Sequence, residues 1–139
     1  MGQKTHPLGF RLGITQEHKS VWYAGLNRYA DILEEDDKIR TYIDTIAKTN
    51  SISNVKICRN GLNDQIQLNI ETGKPGILVG DLGTGLENLL NNIKKLLPAE
   101  RQLTINVFEV EKVDLDANLL ADLAAEQLEK RTAFRRSIR

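Results

Sequence analysis

The sequence predicts a two-layer α+β domain with the element order α-β-β-α-α-β, followed by a further helix at the C-terminal end. Two observations predict it. Alternating apolar and polar residues mark three short strands, and apolar residues at helical spacing mark the segments around them. Each predicted strand has one polar face, so we expect helices to cover the other face of the sheet. At 139 residues, the chain has room for one compact domain with tails.

The first helix is predicted to begin within 31–36 and to end at residue 49. Its apolar residues at helical spacing are Leu33, Ile39, Tyr42, Ile43, Ile46 and Ala47. The acidic residues 34–37 lie near the predicted start, where negative charge complements the helix dipole. Consecutive carboxylates point to different sides of a helix, so we expect a solvated helix end and no metal site.

A hairpin and a third strand are predicted next. Residues 53–59 and 65–70 alternate between apolar and polar, and the turn 60–63 between them contains Asn-Gly, a strong hairpin signal. The third alternating run covers 102–107. An amphipathic helix is predicted over 117–130, because Asp116 is a favourable N-cap and leucines follow it at helical spacing.

A glycine cluster lies between the second and third predicted strands, with helical pattern on either side of it over 74–97. The cluster lacks the Gly-Lys-Ser/Thr of a phosphate-binding loop and the order of a dinucleotide fingerprint. It does contain Gly80-Asp81-Leu82-Gly83, and a helix–GxxG–helix after a hairpin is the KH arrangement, whose loop approaches nucleic-acid backbone. Asp81 would repel a phosphate by about 1 kcal/mol or more. We therefore expect this loop to bind single-stranded RNA weakly or not at all.

The charges are segregated, although the net charge is zero. Four cations and one anion give residues 1–28 a charge of +3, and five cations and one anion give residues 129–139 a charge of +4. Residues 29–128 therefore carry −7. Ends that contact a polyanion show this pattern, although charged tails also favour solubility. The candidate RNA-binding cations are Lys4, Arg11, Lys19, Arg28, Lys130, Arg131, Arg135, Arg136 and Arg139.

Residues 1–30 are predicted to be an extended segment in front of a folded domain over 31–130. Prolines and glycines punctuate the segment, and it has no helical or strand period. Trp22 and Tyr23 either anchor a protein interface or fold back onto the domain, and the sequence leaves both open. The chain has no apolar run long enough for a membrane helix and no signal peptide, so we expect no membrane partner.

The sequence contains no pattern typical of catalysis, metal binding or cofactor binding. His6 and His18 are twelve positions apart in the segment predicted to be extended, and no spacing matches a zinc site. No Ser, Cys or Lys stands in a nucleophile motif. The single cysteine, Cys58, is expected to be a buried or half-buried strand residue in a reducing compartment. We therefore expect neither enzymatic activity nor a cofactor.

Four segments resemble one protein family. They are GQKTHPLGFRLG at 2–13, SVWYA at 20–24, ILVG with its GxxG at 77–83, and AAEQLEKR with AFRR within 124–136. In register along the whole chain, they are similar to the third protein of the bacterial-type small ribosomal subunit. The resemblance implies a KH type II domain and a structural role in the head of that subunit. It implies three kinds of partner: small-subunit ribosomal RNA (rRNA), messenger RNA (mRNA) where it enters the ribosome, and neighbouring head proteins.

The same resemblance implies a location and a missing part. Residues 41–96 are most similar to cyanobacterial and algal plastid members, which implies a chloroplast ribosome or, alternatively, the cytoplasm of a cyanobacterium. The family continues into a second α/β domain, so 131–139 are expected to begin a domain that is absent here. A free KH-type regulator of RNA, outside the ribosome, remains the alternative function. The resemblance also implies that the N-terminal segment lies over rRNA, which agrees with the basic residues of that segment.

Overall fold

A computed structural model gives the structure of the chain and describes residues 2–60, 65–80 and 83–137. Its helices are α1 (Pro7–Arg11), α2 (Leu26–Asn50), α3 (Pro75–Val79), α4 (Thr84–Leu96), α5 (Ala117–Glu129) and α6 (Phe134–Ser137). Its strands are β1 (Ser20–Val21), β2 (Ile52–Arg59), β3 (Gln65–Thr72) and β4 (Gln102–Glu109). A 3-10 turn, Val113–Leu115, precedes α5. The predicted order α-β-β-α-α-β followed by a helix is confirmed from α2 to α5.

The strands form one sheet in the order β1-β2-β3-β4. β2 and β3 are antiparallel, as the predicted hairpin requires, whereas β1 joins β2 and β4 joins β3 in parallel. Parallel neighbours need a long crossover connection. Helix α2 provides it between β1 and β2, and helices α3 and α4 provide it between β3 and β4. The turn residues 61–64 lie outside the described residues.

Helices α2, α3 and α4 cover one face of the sheet. Because side chains alternate along a strand, β3 sends Ile66, Leu68 and Ile70 to this face, where each is at most 1% exposed. They pack in one apolar cluster with buried residues of the other elements, among them Ile39, Ile43, Ile57, Leu78, Leu89, Ile93 and Leu103. Each such side chain stabilises the fold by roughly 1.5–3 kcal/mol through burial. The other face carries exposed polar residues such as Gln67 and its register partner Thr104.

The first 30 residues differ from the prediction. Helix α2 begins at Leu26, not within 31–36, with Gly25 as its N-cap. Its first turn lacks an apolar face toward the core, and Leu26 is 96% exposed. The spacing of apolar residues therefore does not predict this turn. The segment also contains α1 and β1, so residues 1–30 are not extended throughout, contrary to the prediction. Pro7 at the first position and His6, which accepts a hydrogen bond from the N–H of Gly9, begin α1.

Gly85 allows helices α3 and α4 to approach closely. A Cβ atom at this position would lie 2.4 Å from the carbonyl oxygen of Leu78 and 2.9 Å from that of Val79. Gly80 and Gly83 flank the connection with φ angles of +67° and +85°, which glycine adopts without a steric penalty. The three glycines therefore fix the helix–turn–helix geometry, whatever the turn itself binds.

Candidate RNA interface

The N-terminal segment is attached to the domain just before helix α2. The N–H of Ile57 in β2 donates to the carbonyl oxygen of Lys19 at 2.9 Å. Arg40 of α2 donates to the same oxygen at 2.9 Å and to the hydroxyl of Ser20 at 2.8 Å. Arg40 also donates to the carbonyl oxygen of Val55 at 3.2 Å, so it bridges the segment and β2. The backbone at Lys19 is thereby held in place, while its side chain remains exposed.

A second attachment is the ion pair between Lys56 of β2 and Glu17. The hydrogen bond from Lys56 lowers the pKa of Glu17, and the same bond raises the pKa of Lys56. Both effects favour the charged forms and hence the pair. Because Glu17 is the one acidic residue in the sequence of segment 1–28 and pairs with Lys56 of β2, this ion pair uses no cation of that segment.

Trp22 forms a third attachment. The indole N–H of Trp22 donates to Asp36 Oδ2 at 2.8 Å, and its ring centroid lies 5.2 Å from that of Tyr29. Trp22 therefore folds back onto the domain, which is one of the two alternatives that the sequence leaves open. The side chain of Tyr23 is 86% exposed, so it remains the candidate for a protein interface.

Asp36 and Glu35 belong to a buried charge network. The side chain of Arg59, 0% exposed, donates to Asp36 Oδ1 at 2.5 Å and to Glu35 Oε2 at 2.6 Å. Arg101 donates to Glu35 Oε1 at 3.0 Å. Burial raises the pKa of Glu35, but the hydrogen bonds from Arg101 and Arg59 outweigh burial, and the pKa lies below its ordinary value. The expectation of a solvated acidic cluster is wrong for these two carboxylates, since α2 begins two turns earlier and this turn lies against the sheet.

A signal for this network was present in the sequence. Arg59 has the same parity in its strand as Val55 and Ile57, so alternation sends its side chain toward the core. A buried arginine needs carboxylate partners. The acidic run 34–37 is the densest source of them in the predicted helix that covers the sheet.

The C-terminal cations lie at the far end of helix α5. Asp116 caps its start by accepting hydrogen bonds from the N–H groups of Asn118 and Leu119, as predicted. Lys130, directly after its end, forms an exposed ion pair with Glu126 at 2.5 Å. The N-terminal segment borders the start of α5, because a cleft there is lined by residues of both. Helix α5 has 13 residues and is therefore about 20 Å long, so Lys130 lies about that far from the end of the helix that borders the N-terminal segment.

The candidate cations are exposed wherever the structure describes their side chains. This group comprises Lys4, Arg11, Lys19, Arg28, Lys130, Arg131 and Arg135. The side chain of Arg136 and all of Arg139 lie outside the described residues. Asp81 and Leu82 of the GxxG loop lie outside them as well, so weak binding by this loop stays a prediction.

The remaining site predictions concern cysteine, metal and membrane. Cys58 is half-buried in β2 and is a free thiol, as expected. In residues 2–60, 65–80 and 83–137, no group of three His, Cys, Asp or Glu side chains is placed to hold a metal ion. Over the same residues, no helix combines the length and apolarity needed to cross a membrane.

Comparison with known proteins identifies the fold. A family profile described as "KH domain" matches residues 38–115. Small ribosomal subunit protein uS3c of Phaeodactylum tricornutum is 84% identical over 125 residues, which cover 90% of this chain and 58% of the relative. The uS3c protein of Thalassiosira pseudonana is 66% identical over the full chain and 65% of its own length. The uS3 protein of Thermosynechococcus vestitus is 49% identical over the full chain and 58% of its own length.

The sheet, the covering helices and the GxxG connection are those of a KH domain of type II, the α+β class that the sequence predicts. The chain belongs to the KH domain family and, within it, to the uS3 family, of which it covers the N-terminal part. It spans 58 to 65% of the length of the relatives named above.

Proposed function

We propose that this chain is a structural constituent of the small ribosomal subunit that binds small-subunit rRNA through its two basic ends. The observation that carries the proposal is the arrangement of the N-terminal cations. They lie, exposed, on a segment that three separate contacts attach to a KH domain. A basic segment that is held in place loses less conformational freedom on binding than a loose tail of the same charge.

The family supports the same role. The relatives are named as small ribosomal subunit proteins, and none of these names denotes an enzyme. Phosphate contacts by lysine and arginine carry no base-specific information, which suits a protein that holds a fixed place on folded RNA. We assign the chain no catalytic activity and no cofactor.

The C-terminal basic group has a separate proposed target. Lys130, Arg131 and Arg135 are exposed and follow helix α5, whose other end borders the N-terminal segment, so one stretch of RNA backbone does not have to serve both groups. This separation supports contact with mRNA where it enters the ribosome, beside rRNA contact at the other end. The similarity to diatom uS3c proteins supports a chloroplast ribosome, with a cyanobacterial cytoplasm as the alternative.

Salt-dependent binding to small subunits tests the rRNA contact. The chain is mixed with small subunits, and the fraction that co-sediments is measured between 50 and roughly 300 mM salt, where phosphate contacts differ strongly in strength. The test variant replaces four cations with glutamine: Lys4, Arg11, Lys19 and Arg28. Each lost phosphate contact removes about 0.7–0.9 from the slope of log affinity against log salt, so a loss of about 3 is expected.

The matched control neutralises four exposed lysines of the acidic middle of the chain. These are Lys74, Lys94, Lys95 and Lys112. The control changes the net charge by the same amount and is expected to keep the slope of the unaltered chain. Equal slopes for the two variants would contradict the proposal, because affinity would then follow total charge. A soluble pool of the unaltered chain that never co-sediments would favour a free RNA-binding regulator instead.

A further inference from the structure

A polar cleft lies on the open face of the sheet, between the N-terminal segment and the start of helix α5. Its volume is about 600 Å³, which is within the usual range of small-molecule sites. The side chains of Asn54 and Glu71 lie on this face, because their strand neighbours Val55 and Ile70 point to the helices. The N-terminal segment contributes His6, His18 and Lys19 to the lining.

Both walls of the cleft are held in place without a ligand. On the N-terminal side, Lys56 of the sheet pairs with Glu17. On the α5 side, Ser53 donates to Asp116 Oδ2 at 2.5 Å, and the side chain of Asn118 donates to the carbonyl oxygen of Ser53 at 3.0 Å. A cleft that is already formed binds a ligand at a low conformational cost. The same contacts engage the carboxylates of Glu17 and Asp116, so neither is the main acceptor for a ligand.

Asn54 carries a side-chain oxygen that lacks a hydrogen-bond partner. Its Oδ1 is buried, and no donor of the described residues lies within hydrogen-bond distance of it. Nearly all buried polar atoms in proteins are hydrogen-bonded, so this oxygen indicates a donor that comes from outside the chain. The last torsion of asparagine is broad, so a rotation of the amide turns the oxygen into the cleft. Glu71, the register partner of Asn54, is exposed and places a second acceptor beside it.

Two adjacent acceptors match a ligand that presents two adjacent donors. Among the four bases of RNA, guanine has this pattern, with its N1–H and its N2 amino group side by side on the Watson–Crick edge. Unpaired bases are recognised in proteins by hydrogen bonds to this edge and by stacking on flat side chains, histidine among them. His6 and His18 are exposed and supply such rings, and the exposed side chain of Lys19 supplies a cation for a phosphate.

The charge around the cleft distinguishes guanine from an arginine side chain, which also presents paired donors. The segment that forms one wall, residues 1–28, carries a charge of +3, and Lys19 lines the cleft itself. An incoming arginine is repelled by these cations, whereas the phosphate of a nucleotide is attracted by them. A neutral base with a phosphate attached therefore suits the cleft better than a basic peptide does.

We propose that this cleft binds one unpaired guanine nucleotide. Asn54 and Glu71 accept hydrogen bonds from the base, a ring of His6 or His18 stacks on it, and Lys19 contacts the phosphate. Two sources present this chemistry, an unpaired guanosine of rRNA and a free guanine nucleotide. With rRNA as the source, the proposal rests on the proposed function and adds one base-specific contact to an interface of phosphate contacts.

Titration with free nucleotides tests the preference for guanine. GMP, AMP, CMP and UMP are added separately to the full chain, and nuclear magnetic resonance follows the side-chain amide of Asn54 and the backbone amides around the cleft. We expect GMP to shift these signals at millimolar concentration and the other three nucleotides to bind about tenfold more weakly, since they lack the paired donors. Equal shifts with all four nucleotides overturn the proposal.

Photo-crosslinking in the assembled particle tests the source of the nucleotide. The variant Gln16→p-benzoylphenylalanine, on the wall of the cleft, is assembled into small subunits as the full chain and irradiated. Reverse transcription then maps the crosslinked nucleotide. A crosslink at or next to an unpaired guanosine assigns the ligand to rRNA, whereas GMP binding without an RNA crosslink assigns it to a free nucleotide. A crosslink elsewhere in rRNA or to a protein overturns the proposal, and so does the absence of both GMP binding and a crosslink.

A single acceptor separates recognition of the base from net charge. Glu71→Gln places an amino donor where the carboxylate accepts, so we expect it to lower GMP affinity or the crosslink yield about tenfold. The matched control, Glu109→Gln, removes the same charge at an exposed position of β4 outside the cleft and is expected to change neither. Equal effects of the two variants overturn the proposal. Circular dichroism verifies that both variants are folded.

Sedimentation of the crosslinking samples keeps the two proposals apart. If the particles carry the chain but neither a guanosine crosslink nor GMP binding is found, the cleft proposal is overturned and the ribosomal role stays intact. If the chain fails to co-sediment, the ribosomal role is overturned, whereas a preference of the chain for GMP would still support the cleft as a site for a free nucleotide.

Discussion

Trp22 and Asp36 join the N-terminal segment to the buried charges of the domain. Asp36 accepts from the indole N–H of Trp22 through Oδ2 and from Arg59 through Oδ1, so one carboxylate serves both the segment and the core. A hydrogen bond to a charged acceptor in a partly buried site contributes more than a neutral one in water. The position of the basic segment is therefore coupled to the stability of the KH domain.

Removal of the indole N–H measures this coupling. We expect Trp22→Phe to lower the free energy of unfolding by about 1–3 kcal/mol, because Asp36 loses a donor while most ring packing is kept. Urea unfolding followed by circular dichroism measures the change. Leu26→Ala, at a position 96% exposed, is the control and is expected to stay within about 0.5 kcal/mol of the unaltered chain. A Trp22→Phe variant as stable as this control would show that the bond adds nothing.

Arg59 is expected to be the most sensitive charged residue of the domain. Arg59→Leu leaves Glu35 and Asp36 buried without their shared partner, which costs about 3–5 kcal/mol. The total free energy of unfolding of a domain of this size is roughly 5–15 kcal/mol, so we expect the variant to be marginally stable. Chemical unfolding measures the loss. Adding Glu35→Gln and Asp36→Asn is expected to restore part of it, since the uncompensated charges disappear, and a further loss would contradict the explanation.

The network also makes stability depend on pH. The pKa of Glu35 is lowered, because hydrogen bonds from Arg101 and Arg59 outweigh the opposing effect of burial. The unfolded chain, with an ordinary glutamate pKa of 4.5, then takes up the proton first as pH falls. The stabilisation is therefore complete above that value and is lost as pH falls toward the folded pKa.

Unfolding free energies between about pH 7 and pH 3 show this loss. Glu35→Gln is expected to reduce stability at neutral pH and to flatten its decline in acid. Glu126→Gln is the matched control, because the hydrogen bond from Lys130 also lowers the pKa of Glu126, but in solvent. Solvent screening at this exposed position makes the contribution of Glu126 to stability small. If stability falls just as steeply in acid when Glu35 is absent, the fall comes from other carboxylates, such as Asp116.

Gly85 is expected to tolerate no side chain. In Gly85→Ala the new methyl group meets the carbonyl oxygen of Leu78 at 2.4 Å, and the clash with backbone is relieved only when α3 and α4 separate. We expect a loss of about 1–3 kcal/mol, as for other overpacked sites. Gly76→Ala is the control, because a Cβ atom there has no neighbour within 4 Å. Within helix α3 it should be neutral or stabilising by up to about 1 kcal/mol. Thermal unfolding compares the two.

The GxxG loop is expected to bind RNA more strongly once its acidic residue is reversed. Asp81→Lys replaces repulsion of phosphate by attraction, so the full chain should bind a short single-stranded oligonucleotide several-fold more tightly. Asp114→Lys, at an exposed position of the 3-10 turn, makes the same change in net charge away from the loop. Fluorescence anisotropy measures both affinities. Equal gains for the two variants would show that net charge, not the loop, governs binding.

Most of the KH core follows from the sequence, because its elements are long enough to show a period. The alternation of β3 predicts both the strand and the face that it buries. The leucines of α5 predict the helix but not its buried face, because Leu119 is buried whereas Leu120, Leu123 and Leu128 are about half exposed. Three features of the N-terminal part were not predicted, helix α1 among them. Strand β1 has two residues, too few for any alternation, and it exists only because Ile57 offers it a partner. The first turn of α2 is largely exposed. Apolar residues recur at helical spacing only where one face of a helix is buried, so this turn has no such pattern.

The candidate site was predicted by composition but not in its arrangement. The cations at both ends were identified by residue type, and those described are exposed. The fold-back of Trp22 was one of two alternatives, but the partners in the three contacts that hold the N-terminal segment were not predicted, since each contact joins residues distant in sequence, such as Glu17 with Lys56. Charge patterns indicate which residues face a polyanion, whereas the partner of a given carboxylate depends on which surfaces the fold brings together.

The parallel pairing of β1 with β2 has a consequence for synthesis of the chain. Ser20 lies in register with Ile57, which is made 37 residues later. During translation, the amino-terminal cations therefore emerge well before the strand that positions them. They reach their final arrangement only after β2 has left the exit tunnel, so the oriented RNA binding that we propose for these cations has to wait until the domain has begun to fold.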